Sequence, residues 1–229
     1  MFFDPVYLLF TLPGILLGLW ASAKTKLTFD RYSRVESLNR VTGATAALRL
    51  LANAGIRDVR VEETQGFLSD HYDPTGKVLR LSPGVYHSDS LAAIGVACHE
   101  AGHAIQHAQG YSALWLRSSL VPIVNLASPG AYLFFLIGLV LNMSALLWLG
   151  IICFGMAVLF SLVTLPVEYD ASRRAKQLMV SAGIVTQSEA KGAGEVLSAA
   201  FLTYVAAAVT ALLTLLYFLF RSGLLGRRD

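Results

Sequence analysis

His99-Glu100-Ala101-Gly102-His103 sets two imidazoles four residues apart with a carboxylate between them. On a helix, residues at i and i+4 share a face, so both rings reach one metal ion while the intervening Glu stands beside it. Neutral imidazole is a common zinc ligand, and zinc with an open position lowers the pKa of a water to about 7. A neighbouring carboxylate takes the proton that such a water loses. The spacing therefore predicts zinc-assisted hydrolysis, with His99 and His103 as ligands of Zn²⁺ and Glu100 as general base. A helix with two buried, hydrogen-bonded histidines and a surface glutamate would carry the same pattern. The surroundings favour the metal reading: Ser88-Asp89-Ser90 offers helix caps, 91–109 contains no proline, and Gly102 permits close packing.

Catalytic zinc usually has three protein ligands and one open position. His107 lies one turn further along the same helix, and a straight helix cannot wrap three turns around one tetrahedral ion. His71 and His87 precede the helix in loop-like sequence. Glu168 is the leading candidate, because it is the first charge after the uncharged stretch 118–167 and opens a predicted helical segment over 168–175. Glu195 stands in a similar place before the last apolar run and is the alternative. Cys98 points about 100° away from His99 around the helix and is expected to pack in the interior.

The elements that must position these groups are largely membrane helices. Of 229 residues, 55% are hydrophobic, and the mean hydropathy is +0.58. Residues 6–23, 118–167 and 196–220 carry no charge. A spanning helix needs about 20 apolar residues, so the middle stretch holds two spans turning near Asn142-Met143-Ser144. The expectation is a mainly α, polytopic membrane protein with about four transmembrane helices and a small α+β, zincin-like cytoplasmic domain. A three-span alternative would make part of 118–167 re-entrant or interfacial, Pro122 and Pro129 marking its weakest helical part. The expected division is 1–23, first span; 24–117, cytoplasmic region with the H-E-x-x-H helix; 118–167, transmembrane hairpin; 168–195, cytoplasmic segment with the third ligand; 196–229, fourth span and tail.

No basic residue precedes the first apolar run, which favours a retained anchor over a signal peptide despite Ala21-Ser22-Ala23. Lys24, Lys26, Arg31, Arg34 and Arg40, with Arg173, Arg174 and Lys176, place 24–117 and 168–195 in the cytoplasm; Arg221, Arg227 and Arg228 vote the other way. The net charge of +3 is mostly juxtamembrane and suits anionic lipid head groups of the bilayer. No nucleic-acid motif is present. The two cysteines, Cys98 and Cys153, form no C-x-x-C pair, and no disulfide is expected.

Between the first two spans, Thr42–Asn53 reads as a helix, Asp58–Glu63 and Phe67–Tyr72 as strands, and Asp73-Pro74-Thr75-Gly76 as a turn. Lys77–Leu81 then alternates in part, as a half-exposed edge strand would. Such an edge before the zinc helix could pair with an extended substrate peptide; a structural hairpin is the plain alternative.

Several pieces in order along the chain carry a resemblance. They are Leu68-Ser69-Asp70-His71-Tyr72-Asp73-Pro74, Leu81-Ser82 with Val85-Tyr86, Cys98-His99-Glu100-Ala101-Gly102-His103-Ala104-Ile105-Gln106, Leu165-Pro166-Val167-Glu168-Tyr169-Asp170-Ala171-Ser172, and Leu197-Ser198-Ala199-Ala200 with Leu202-Thr203-Tyr204-Val205-Ala206-Ala207. With these the chain resembles the YugP-type family of neutral zinc metallopeptidases, membrane proteins of bacteria, and is more distantly similar to HtpX-type membrane proteases. The resemblance implies a multi-pass protein of the bacterial cell (inner) membrane; it supplies no substrate, and a peptide or membrane-protein substrate is what the motif's chemistry leads one to expect. It implies that His99 and His103 bind zinc, Glu100 is the base and Glu168 the third ligand. The HtpX-type proteins place an Ala-Asp pair soon after their ligand Glu; here Asp170 comes earlier, and it is the expected partner of one imidazole. Arg173, Tyr169 and Tyr204 are candidate oxyanion donors. A non-catalytic zinc-binding scaffold or partner-regulating subunit is the contrasting class, and Glu100 argues against it because a structural site needs no base. A zinc hydrolase of lipid or other non-peptide amides is a further alternative.

Overall fold

The computed structural model describes residues 5–66 and 69–223. In chain order the elements are α1 (Pro5–Tyr32), α2 (Gly43–Asn53), β1 (Arg60–Glu63), β2 (His71–Asp73), β3 (Val78–Leu81), α3 (Pro83–Tyr86), α4 (Leu91–Ala108), α5 (Ser112–Val140), α6 (Ser144–Ser181) and α7 (Gln187–Arg221). Among them α1, α5, α6 and α7 are long and apolar enough to cross a membrane, four in all among the described residues. The chain divides into two compact units.

One unit comprises the described parts of Met1–Ala21, Trp115–Leu165 and Thr203–Asp229. Its helices meet through small residues, as expected where lipid supplies no hydrophobic drive between helices. A Cβ on Gly150 would lie 2.6 Å from the backbone nitrogen of Phe135, and one on Gly14 would lie 2.7 Å from Thr210 Oγ1. Phe135 and Phe218 stack with ring centroids 3.9 Å apart. Helix α5 runs through Pro122 and Pro129 unbroken, and α5 and α6 are each long and apolar enough to span. Asn142 takes a left-handed φ of 54° in the turn before α6.

The other unit comprises Ser22–Leu114 and Pro166–Leu202 and is organised around α4. The Ser90 hydroxyl caps α4 by accepting from the Ala93 amide at 3.2 Å. Leu91, Ile94, Ala97, Cys98, Ala101 and Ile105 are buried and join Leu50 and Leu51 of α2 in one core. The sheet order is β1-β3-β2, with β1 parallel and β2 antiparallel to β3. The expected edge strand at 77–81 is thus the central strand. Val78, Leu79 and Leu81 are buried, and both ladders of β3 are occupied, leaving β1 and β2 as the edges. The strand at β2 begins at His71; Phe67 and Leu68, where it was expected to start, lie outside the described residues.

Two helix boundaries differ from expectation. Glu168 lies within α6, which continues through Pro166 to Ser181, and Glu195 lies within α7. Leaving an apolar run does not end a helix; a stop signal does. For α6 that signal is Gly183, at φ 63° just beyond its end. For α7 the start is a reciprocal cap: Thr186 Oγ1 accepts from the Glu189 amide, and Glu189 Oε2 accepts from the Thr186 amide.

Helix α4 packs close to α6 and α7 because two positions lack a side chain. A Cβ on Gly102 would lie 2.7 Å from the Ala171 carbonyl oxygen, and one on Gly95 would lie 3.2 Å from that of Ala193. Gly102→Ala is expected to destabilise the fold by about 1–3 kcal/mol through overpacking, although Ala is the better helix former. Gly84→Ala, where a Cβ meets nothing within 4 Å, should leave the melting temperature of the detergent-solubilised protein nearly unchanged.

Candidate metal centre

His99 and His103 stand on one face of α4, with ring centroids 4.8 Å apart. Opposite them α6 presents Glu168, whose carboxylate is 2% exposed. Its Oε2 is 3.1 Å from His99 Nε2 and 3.6 Å from His103 Nε2. One ligand atom from each of the three lies within 4.8 Å of the others. Two atoms each about 2.1 Å from a tetrahedral ion are about 3.4 Å apart, so the donor set and its spacing fit zinc.

The far sides of both rings are held. His99 Nδ1 is 3.1 Å from Ser172 Oγ, one turn beyond Glu168 on α6. His103 Nδ1 is 3.0 Å from Gln106 Oε1. Gln106 is fully buried, and its Nε2 donates to the Val167 carbonyl at 2.9 Å and to Asp170 Oδ2 at 3.0 Å. Arg173 and Arg174 in turn donate to Asp170. Asp170 therefore reaches an imidazole only through Gln106, not directly as expected. Both partners of the imidazoles escaped the sequence reading. Gln106 was legible in principle, three residues after His103 and hence on the same face; Ser172 depends on which side of α6 faces α4.

Glu100 is half-buried beside the pair, and its side chain makes no hydrogen bond among the described residues. Burial alone would lower the pKa of His103, but the Glu168 carboxylate, the nearby Glu100 charge and Gln106 together raise it. Burial pushes the Cys98 thiol up to about 12, so it remains a neutral core group.

The remaining candidates are placed elsewhere. His107 Nδ1 is 2.8 Å from the Tyr72 hydroxyl. His71 Nδ1 is 2.7 Å from the Ser69 carbonyl oxygen, and His87 Nε2 is 3.1 Å from Glu63. Glu195 Oε2 accepts from the Tyr32 hydroxyl at 2.7 Å. Of the oxyanion candidates in this unit, Arg173 is paired with Asp170, and Tyr169 is exposed and packs edge-on against Phe201; Tyr204 belongs to the other unit.

Comparison with known proteins places the whole chain in a family. Residues 7–223 match the family described as "putative neutral zinc metallopeptidase", and the chain belongs to that family. It is 50% identical over 213 residues to the "putative membrane protease YugP" of Bacillus subtilis (strain 168), covering 93% of this chain and 95% of that protein. No solved structure matches the chain.

Glu168→Ala is expected to weaken zinc binding by more than the roughly 10–100-fold typical of losing a residue behind a ligand. Glu195→Ala and His107→Ala should leave it unchanged. Zinc content after dialysis against graded chelator checks all three.

Proposed function

We propose that the chain is a membrane-embedded zinc metallopeptidase in which His99, His103 and Glu168 hold the zinc and Glu100 is the general base. The observation that carries this reading is the convergence of the two Nε2 atoms on one buried carboxylate from another helix, with an unengaged glutamate beside them. The chemistry a bound zinc supplies is Lewis-acid polarisation of the scissile carbonyl and acidification of the attacking water to a pKa of about 7. Glu100 takes the proton of that water and hands it to the leaving amine. Ser172 and Gln106 hold the Nδ1 sides of the imidazoles, which leaves each Nε2 turned toward Glu168. The substrate class that this chemistry and the family suit is a peptide or membrane-protein segment.

The site faces the cytoplasm of a bacterial cell in this reading. Support comes from Lys24, Lys26 and Arg31 following the first apolar run on α1, and from Arg173, Arg174 and Lys176 on α6. Arg221, Arg227 and Arg228 argue otherwise; Arg221 ends α7, and the other two lie outside the described residues. Two spans separate His103 from Glu168 in this reading, which returns both to one side of the bilayer, as a shared site requires.

Glu100→Gln should keep stoichiometric zinc and lose roughly 10²–10⁴-fold in the rate of peptide hydrolysis. The assay pairs zinc analysis with cleavage of peptide and membrane-protein substrates by the purified variants. Full activity in the Gln variant excludes Glu100 as the base. For orientation, Arg60→Cys on β1 should react with an impermeant thiol reagent only after permeabilisation of cells, whereas Phe2→Cys and Arg228→Cys react without it. The opposite pattern reverses the topology.

A further inference from the structure

Gln106 is fully buried, and every hydrogen bond it makes has a determined direction. The Val167 carbonyl oxygen can only accept, so the group 2.9 Å from it must be the amide NH₂. The second hydrogen of that NH₂ goes to Asp170, which is pinned as an acceptor by Arg173 and Arg174. The amide oxygen is thereby forced toward His103 Nδ1 at 3.0 Å. An acceptor at that position requires Nδ1 to carry the proton. The neutral ring then has its lone pair on Nε2, the atom that faces Glu168.

From this chain of donors and acceptors we infer that Gln106 is a positioning residue that fixes the tautomer of His103 from the α6 backbone. Its anchor is the carbonyl of Val167, the residue immediately before Glu168. One side chain thus ties the orientation of a ligand on α4 to the chain position of the carboxylate on α6. Ser172 does not impose the same constraint on His99, because a hydroxyl can donate or accept. The inference rests on the ligand set proposed above and adds to it a cause for the tautomer.

The test uses the full-length protein in detergent, with zinc as the probe. Gln106→Met preserves length and packing but removes both the acceptor and the donors. Gln106→Glu keeps the acceptor toward Nδ1 and loses the donors. Zinc affinity is measured by chelator competition, and the protonated ring nitrogen is followed by ¹⁵N-histidine NMR. In the zinc-loaded wild type, His103 should show a protonated, exchange-protected Nδ1. In the Met variant that signal should be lost, and zinc should bind roughly 10–100-fold more weakly. The Glu variant should keep the Nδ1 signal and bind zinc more tightly than the Met variant, even where its melting temperature is lower. A wild-type His103 protonated at Nε2 overturns the inference, whatever the variants do. Equal zinc affinity and an intact Nδ1 signal in the Met variant overturn the clamp and leave the ligand set standing. Met and Glu variants equally weakened, both without the signal, reduce Gln106 to a packing residue. A wild type that binds no zinc overturns the ligand set and the clamp together.

Discussion

A buried carboxylate must be met by positive charge or by hydrogen-bond donors, and at Glu168 that demand organises the unit around it. Removing a carboxylate from water costs several kcal/mol when it is unpaired. The proposed zinc would supply that positive charge, between Glu168 and two imidazoles on α4, each with its Nε2 turned toward the carboxylate. Those rings can reach it only if α4 and α6 approach closely. Gly102, between the two histidines in the motif, is where the Ala171 backbone comes in. The histidine spacing, the glycine and the carboxylate are therefore parts of one geometric condition.

The same condition explains why the polar groups behind the site form a closed set. Ser172 and Gln106 hold the rings, and Asp170 accepts from Gln106 and from two arginines one turn on. All these α6 residues lie within the first two turns after the apolar stretch 118–167. Because α6 does not break there, the helix that carries the apolar run also carries the carboxylate and its supports.

Much of this was legible in the sequence, and the failures have physical causes. Two imidazoles at i and i+4 report their own geometry, because helix periodicity alone places them. The four long apolar helices declare themselves by length and lack of charge. The edge strand was misread because alternation describes exposure of side chains and says nothing of which neighbours occupy the two ladders; β3 gains its second neighbour from β1, distant in sequence. Glu168 and Glu195 mark the ends of uncharged stretches, and a change in charge is not a helix boundary. The true signals were local: Gly183 after α6, and Thr186 with Glu189 before α7. Gln106 was in plain view on the α4 face, but its partners on α6 come from packing, which no single-sequence pattern encodes.

The central claim, that His99, His103 and Glu168 form one zinc site, is tested most directly by X-ray absorption at the zinc edge on the purified, zinc-loaded protein. The account predicts a nitrogen and oxygen shell at about 2.0–2.1 Å with outer scattering from two imidazoles. It predicts no sulfur, since Cys98 is buried in the core away from the site. A sulfur shell at about 2.3 Å, or scattering from three or four imidazoles, would contradict it.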